Sequence, residues 1–376
     1  MPLTVLITNL SLSGRTGTET YTRDLALGLL REDCLPIVYS TNLGDLADEL
    51  RQATIPVIDG LEQMQRPPDV IHGHHNLETL AALSRFPGVP AVFVCHDATA
   101  WHSIPPLHPR VGMYLAVDDN CRDRMLYEYG IPESRIRVVP NAVDLGRFAR
   151  RTLLPARPAR ALLFGGAGSE ATSLAAVRVA CAERGMTLDV ISESTGRGTQ
   201  TPEASLSGYD VVFAKARCAL EALAIGSAVI LCDGRKMGPM VTAAELDHLR
   251  RLNFGRRALQ SPIEVATLLR EIDRYDPADT AEVTNRIRER GGLTHLTQAL
   301  IEIYEAMLAN PPMTTCDEEA PAIAAFLEHL APRLQRQMDT PARRTLRSLK
   351  RALLNAPAAG ALRRWGVSIR RQLSKP

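Results

Sequence analysis

Short apolar runs alternate with helix-period segments over the first 150 residues. Thr4–Thr8, Pro36–Ser40, Asp69–His72, Ala91–His96, Met113–Val117 and Ile136–Pro140 read as strands. Helical patterns separate them, notably Thr18–Arg31, where Leu25, Ala26 and Leu29 form one inward stripe. Strands without a polar face, joined by helices, predict a parallel sheet covered on both sides. Arg151–Arg160, with two prolines and three arginines, reads as an interdomain linker. A second series follows: Ala161–Phe164, a helix over Ala171–Arg184, Thr187–Ile191, Asp210–Ala214, a helix over Arg217–Ile225, then Ala228–Cys232. Ser194–Gly208 reads as loop, and Val241–Asn310 as helical with breaks at Pro262, Pro277 and Gly291-Gly292. Thr314–Ala320 reads as an acidic loop and Ile323–Gln337 as a helix. The expected class is α/β, with two facing Rossmann-like, doubly wound domains at 1–150 and 151–312 and a helical basic tail at 313–376. Ligands of such sheets bind beyond the carboxyl ends of the strands, so the cleft between the two domains is the expected site.

The length of 376 residues agrees with two domains. With 45% hydrophobic and 23% charged residues the chain is an ordinary globular one, and with 5% aromatics its cores must be aliphatic. No apolar run approaches the roughly eighteen residues that cross a bilayer. The start, Leu3-Thr4-Val5-Leu6-Ile7, lacks a basic flank and a cleavage site, which argues against a secretory signal. Seven scattered cysteines, most in apolar runs and never spaced C-x-x-C, suit reduced thiols of a cytoplasmic protein. The net charge of +2 hides an asymmetry. Residues 341–376 hold ten Lys or Arg and no acid, leaving a formal −8 on the rest. Within that tail Leu346, Leu349 and Leu353 form one apolar stripe, and Leu362, Trp365, Ile369 and Leu373 another. Two short amphipathic helices on an anionic membrane surface fit this pattern, as does docking on the chain's own acidic body. Nucleic acid fits poorly, since the tail offers almost no aromatics to stack on bases.

Five clusters carry candidate chemistry. The first strand-to-helix turn, Ser13-Gly14-Arg15-Thr16-Gly17-Thr18, spaces its glycines as G-x-x-G and so is neither a dinucleotide fingerprint nor a P-loop. Its free N–H groups could cradle an anion or a sugar hydroxyl; the alternative is a turn that only joins two elements. The second, His72-Gly-His74-His75, lies at a strand end. Its spacing is not that of a helical metal site, so cleft-lining or structural histidines are expected there. The third, His96-Asp97, offers a histidine for proton exchange or sugar contact, or one held structurally by Asp97. The fourth, Ile136–Phe148, carries Pro140, Asn141, Asp144 and Phe148 and would fix the crossing between the domains. In the fifth, a strand ends, Lys215 occupies the turn, and Arg217 and Glu221 share one face of the next helix. Lys215, Arg217 and the helix N-terminus would seat a diphosphate, and Glu221 a ribose diol. The other reading is a plain Arg217–Glu221 pair within the helix.

Taken together, these residues resemble a retaining glycosyltransferase of the GT-B fold, family-4 type. The matching stretches are Thr16-Gly17-Thr18-Glu19-Thr-Tyr21 with Asp24-Leu-Ala26, Asp69–His74, His96-Asp97, Ile136–Asp144 with Phe148, and Leu220-Glu221-Ala222-Leu-Ala224-Ile-Gly226. The resemblance implies a nucleotide-sugar donor on the C-terminal domain, an acceptor on the N-terminal one and transfer with retention to a glycan or lipid-linked acceptor. It implies no metal cofactor. Gly17, Thr18, Lys215, Arg217 and Glu221 are then the donor side, Thr16, His72, His74 and Asp97 the acceptor side, and His96 and Glu221 the catalytic pair. Helix 293–310 matches a closing helix that returns toward the first domain. Two features depart from the family: Phe213 stands where an upstream glutamate is usual, and Phe164–Glu170 lacks the usual cations. An epimerase on the same fold and a non-catalytic binding protein are the alternatives.

Overall fold

Alternate side chains of the apolar runs are buried on opposite faces of two sheets. The computed structural model describes residues 2–165, 171–191, 201–312 and 314–338. Met1–Glu319 form one unit and Ala320–Pro376 a second. The first sheet comprises β1 (Thr4–Thr8), β2 (Leu35–Tyr39), β3 (Val57–Ile58), β4 (Val70–Gly73), β5 (Ala91–Cys95), β6 (Val111–Ala116) and β7 (Ile136–Val138). Their order is β3-β2-β1-β4-β5-β6-β7 and every pairing is parallel. Helices α1 (Gly17–Arg31), α2 (Asp45–Gln52), α3 (Asn76–Arg85) and α4 (Asp119–Asp123) lie between the strands. Strand order reverses between β1 and β4, so their carboxyl ends open a crevice.

The second sheet runs β13-β12-β11-β10-β8-β9. It comprises β8 (Arg160–Phe164), β9 (Thr187–Ile191), β10 (Val211–Ala214), β11 (Ala228–Cys232), β12 (Lys236–Met240) and β13 (Ser261–Pro262). The first four are parallel, and β12 and β13 are antiparallel to their neighbours. Helices α5 (Ala171–Glu183), α6 (Pro202–Leu206), α7 (Ala216–Ile225), α8 (Leu246–Arg251), α9 (Val265–Ile272), α10 (Pro277–Arg290), α11 (Leu293–Ala309) and α12 (Cys316–Met338) complete the described elements. One face of the sheet packs Leu162, Val212, Val229 and Leu231 against α7 and α10. The other packs Leu163, Val211, Phe213 and Ile230 against α5 and α9. Here the order reverses between β8 and β10, a second crevice.

The crossing between the sheets is fixed as its sequence suggests. Val143 and Phe148 are fully buried in the core of the second sheet. Asp144 caps the turn through the Gly146 and Arg147 amides at 3.0 and 3.2 Å and pairs with Arg31 of α1. Beside it the chain returns: Leu293 donates to the Val143 carbonyl at 3.1 Å, and α11 then packs on α1. That approach requires Gly28, since a Cβ there would collide with Thr297.

Three expectations are corrected. Residues 261–262, inside the stretch expected to be helical, are a strand paired with 236–240, for which the pattern predicts no element; Gly238 and Pro239 are tolerated there because the antiparallel pair carries a bulge. Within Ser194–Gly208, 202–206 is helical, and 192–200 lies outside the described residues. The acidic stretch is the first turn of α12: Thr315 donates to Glu318 at 3.0 Å, and Asp317, Glu318 and Glu319 face the positive end of the helix dipole. The helices expected over 341–376 lie outside the described residues. Among the described residues no helix is long and apolar enough to cross a membrane.

Candidate active site

The turn before α1 is largely self-satisfied. Glu19, the third residue of the helix, accepts from Thr16 N at 2.8 Å, Gly14 N at 2.9 Å and Ser11 Oγ at 2.8 Å. Burial pulls its pKa upward, but these donors hold it below the usual carboxylate value. The amides of Gly14 and Thr16 are therefore taken, which corrects the picture of an open cradle over the whole turn. The backbone at Gly17 and Thr18 still faces the cleft.

The histidines of the second and third clusters meet at the β1/β4 crevice. His72, on β4, lies 2.5 Å through Nδ1 from the Tyr304 hydroxyl of α11. His74 Nδ1 and His96 Nε2 are 2.8 Å apart, and their rings stack at 4.9 Å. Tyr21 of α1 meets both edge-on at 5.2 and 4.9 Å. His75 caps α3 and accepts from Leu10 N at 2.9 Å. Burial pushes His72, His75 and His96 down to about 3, and lowers His74 well below 6.5. Among the described residues no three ligating groups converge to hold a metal ion. Asp97 does not hold His96. Its Oδ1 accepts from Thr99 N, Thr99 Oγ1 and Ala100 N at 2.6, 2.7 and 3.0 Å and shapes the 97–100 loop.

In the second sheet β10 ends at Ala214 and α7 starts at Ala216, so Lys215 alone makes the turn and caps the helix. Ala216 holds a φ of +48°, with its amide on the Phe254 carbonyl, and Asn253 and Phe254 hold +50° and +53°. Three non-glycine residues in left-handed backbone, each costing on the order of 1 kcal/mol, cluster at this one edge. Phe213 points into the α5/α9 face and is fully buried, so a glutamate at that position would face core, not cleft.

Arg217 and Glu221 do pair, at 2.8 Å, but Arg217 also binds Asp24 of α1 on the other side of the cleft. Asp24 in turn bonds Arg23 at 2.6 Å. Burial drives Asp24 upward, yet the two arginines hold it below the usual range, while Glu221 is raised, mainly by burial. The intrahelical pair is thus one arm of a buried bridge between the two sheets' helices. Lys215 is more open and lies 3.5 Å from Asp233.

These elements enclose a cavity of about 240 Å³. Gly17, Thr18, His96 and Asp97 line it from the first half, Lys215, Arg217 and Arg256 from the second. Thr16 sits exposed at its rim, and His72 and His74 lie behind His96, fully buried. Glu221 lies behind Arg217. Sequence reasoning missed Asn253 and Arg256. The Asn253-Phe254-Gly255 triplet after a helix, with its left-handed backbone, was the available signal. Chemically the cavity combines the α7 N-terminus and fixed cations on one side with the α1 N-terminus and a neutral imidazole on the other. That suits an anionic leaving group next to a hydroxyl-rich one.

Residues 15–147 match the family described as Glycosyltransferase Family 4. Solved structures extend the likeness over both sheets. A glycosyltransferase from Rickettsia africae ESF-5 superposes with a TM-score of 0.59 at 15% identity, covering 82% of this chain and 99% of the other. The fold is GT-B, family-4-like. Anabaena HepE in complex with UDP gives a TM-score of 0.58 at 15% identity, with 81% of this chain and 100% of that one covered. The lipopolysaccharide outer core galactosyltransferase WaaB gives 0.52 at 12% identity over 80% and 99%. No curated protein sequence matches the chain. In this GT-B frame the 240 Å³ cavity lies at the cleft between the paired sheets, where both strand-order reversals point.

Proposed function

We propose that the protein transfers a glycosyl group from a nucleotide-sugar donor to a glycan or lipid-linked acceptor, with retention at the anomeric carbon. The observation that carries this reading is the cavity itself, where Lys215, Arg217, Arg256 and the N-terminus of α7 face His96 and the N-terminus of α1 across the cleft. The diphosphate would rest on the second half, its charge met by Lys215 and Arg256, and by Arg217 once that side chain turns from Asp24. Fixed positive charge next to the departing phosphate lowers the transition state more than the ground state. His96 would contact the sugar, and the acceptor would enter over Thr16 and Asp97. The departing phosphate itself takes the acceptor proton, so the reading needs neither a strong protein base nor a resident metal. HepE, solved with UDP and with UDP-glucose, supports a nucleotide-sugar as the donor class. A cytoplasmic enzyme of polysaccharide or glycolipid synthesis, held at the membrane by residues 341–376, completes the proposal.

The test is a thermal-shift panel of UDP, GDP, ADP, TDP and CMP, followed by labelled nucleotide-sugars of the base that binds. Ligand at a hundred times its Kd stabilises by about 2.7 kcal/mol. Sugar release or transfer supports the proposal, and an acceptor requirement separates it from an epimerase. Two observations favour a binding-only protein: Phe213 is core, and Arg217 is already engaged by two carboxylates. Nucleotide binding without turnover on any donor would select that second reading.

A further inference from the structure

Behind His96 stands a row of rings that the donor reading leaves without a task. Tyr304, His72 and His74 are all fully buried, and they lead from α11 to the cavity wall through contacts of 2.5 Å (Tyr304–His72) and 2.8 Å (His74–His96). The His72 and His74 rings between those contacts are 4.9 Å apart. A neutral imidazole has one N–H and one lone pair, so each ring has a single proton to place. The Tyr304 hydroxyl meets His72 Nδ1; donating there puts the His72 proton on Nε2. That nitrogen and His74 Nε2 are both buried without a hydrogen-bond partner among the described residues. A second proton on His74 Nε2 would leave two unpaired buried N–H groups in adjacent rings. Orphaned buried donors are rarer and costlier than orphaned lone pairs. His74 therefore carries its proton on Nδ1 and donates to His96 Nε2. His96 is left with its N–H on Nδ1, which has no partner among the described residues, on a ring that lines the cavity.

We propose that His74 is a positioning residue, backed by His72 and Tyr304, that fixes His96 as an Nδ1–H donor directed into the cleft. His96 then serves as a neutral hydrogen-bond donor to an oxygen of the sugar or the leaving diphosphate, and not as a base. The ring order also ties α11, which returns from the second half, to the orientation of the histidine at the cavity. The tautomer stands on the geometry alone. Its value to turnover rests on the glycosyl-transfer reading.

Two-bond ¹H–¹⁵N spectra of the full chain, labelled with ¹⁵N-histidine, read each ring's tautomer directly, and His96→Gln identifies the His96 signals. The expected result is a single Nδ1–H form for His96. In His74→Leu it should give way to a mixture, with kcat falling tenfold or more and donor KM within about twofold. His74→Asn, whose amide can donate from a similar place, should keep the Nδ1–H form and most of the turnover. An Nε2–H His96 in the unaltered protein overturns the proposal, and that spectrum decides even if His74→Leu does not fold. Equal turnover losses in both variants with the His96 tautomer unchanged overturn it as well. A correct tautomer in a protein that transfers no sugar leaves the ring order standing and removes the function.

Discussion

Acid should unfold the first sheet well above the pH at which carboxylates protonate. His72, His74 and His75 are 0, 0 and 2% exposed and burial holds all three neutral, with His72 and His75 at about 3. In the unfolded chain each returns to about 6.5. The folded state therefore binds fewer protons, and stability is full above pH 6.5 and is lost as pH falls toward 3. One unit below 6.5, each ring favours the unfolded state by about 1.4 kcal/mol, so three give roughly 4 kcal/mol between pH 7.5 and 5.5. At pH 6.5, where half of each unfolded ring is charged, these three contribute about 2 kcal/mol per pH unit to the slope, and His96 and His108, lowered by burial to about 3 and about 4, add to it. Total stabilities are typically about 5–15 kcal/mol, so the effect is large. Glu78 and Asp118, raised mainly by burial, take up protons in the fold and oppose the trend only nearer the carboxylate range. The assay is urea unfolding at pH 7.5, 6.5 and 5.5, followed through Trp101 beside His102 in a Trp365→Phe background. His75→Asn, which keeps an acceptor for Leu10 N, should lower the slope by about 0.7 kcal/mol per pH unit whatever its own stability cost. A slope under about 0.5 kcal/mol per unit would mean that the rings are charged in the fold, and the reasoning would fail.

Arg110 is 1% exposed, and its guanidinium meets Glu319 twice at 2.8 Å besides the Phe86 and Val89 carbonyls. Glu319→Gln leaves that charge unpaired and should cost about 3 kcal/mol in the same urea assay, the low end for a buried pair because Glu319 is partly exposed. Lys215→Ala and Arg217→Ala should each weaken a nucleoside diphosphate at least tenfold in calorimetry while changing nucleoside binding little. Equal losses for both ligands would assign Lys215 to its pair with Asp233 and Arg217 to the α1–α7 bridge, with no part in phosphate binding. The full chain should sediment with anionic vesicles at low salt and a chain ending at Met338 should not, since the basic stripes follow that residue; sedimentation of neither would favour docking of the tail on the body. That truncation point spares Glu319 and its pairing with Arg110.

The fold was legible because its elements speak locally. Parallel strands buried on both faces must be apolar throughout, and Ala91–Cys95 or Ala228–Cys232 suit the middle of such a sheet. What escaped was pairing that depends on partners rather than pattern. Lys236–Met240 contains a glycine and a proline and becomes a strand only because β11 offers an antiparallel edge and Gly238 leaves no room for a Cβ against Ala258. Thr315 and Glu318 mark the first turn of α12 as a capping box, but a run of acids reads equally as solvated loop until the helix behind it is seen.

The site divides along the same line. Strand-end positions are set by topology, so His96, Lys215 and Gly17 reach one cavity as their places after β5, β10 and β1 require. Side-chain partners across the cleft follow no local rule. Arg217 and Glu221 four apart on a helix announce a pair, but nothing in that spacing announces Asp24, 193 positions away. With Asp24 in place, the arginine is neither the free phosphate ligand nor the private partner of Glu221 that the spacing suggests. It is a charge shared between the halves of the protein. A diphosphate entering the cavity must compete with Asp24 for it, at the desolvated edge where Ala216, Asn253 and Phe254 hold left-handed backbone. On the proposed function, donor binding and the bridge between the halves would be linked through one guanidinium: a donor that took Arg217 from Asp24 would loosen α1 from α7, and whatever loosened α1 would free the cation for the donor.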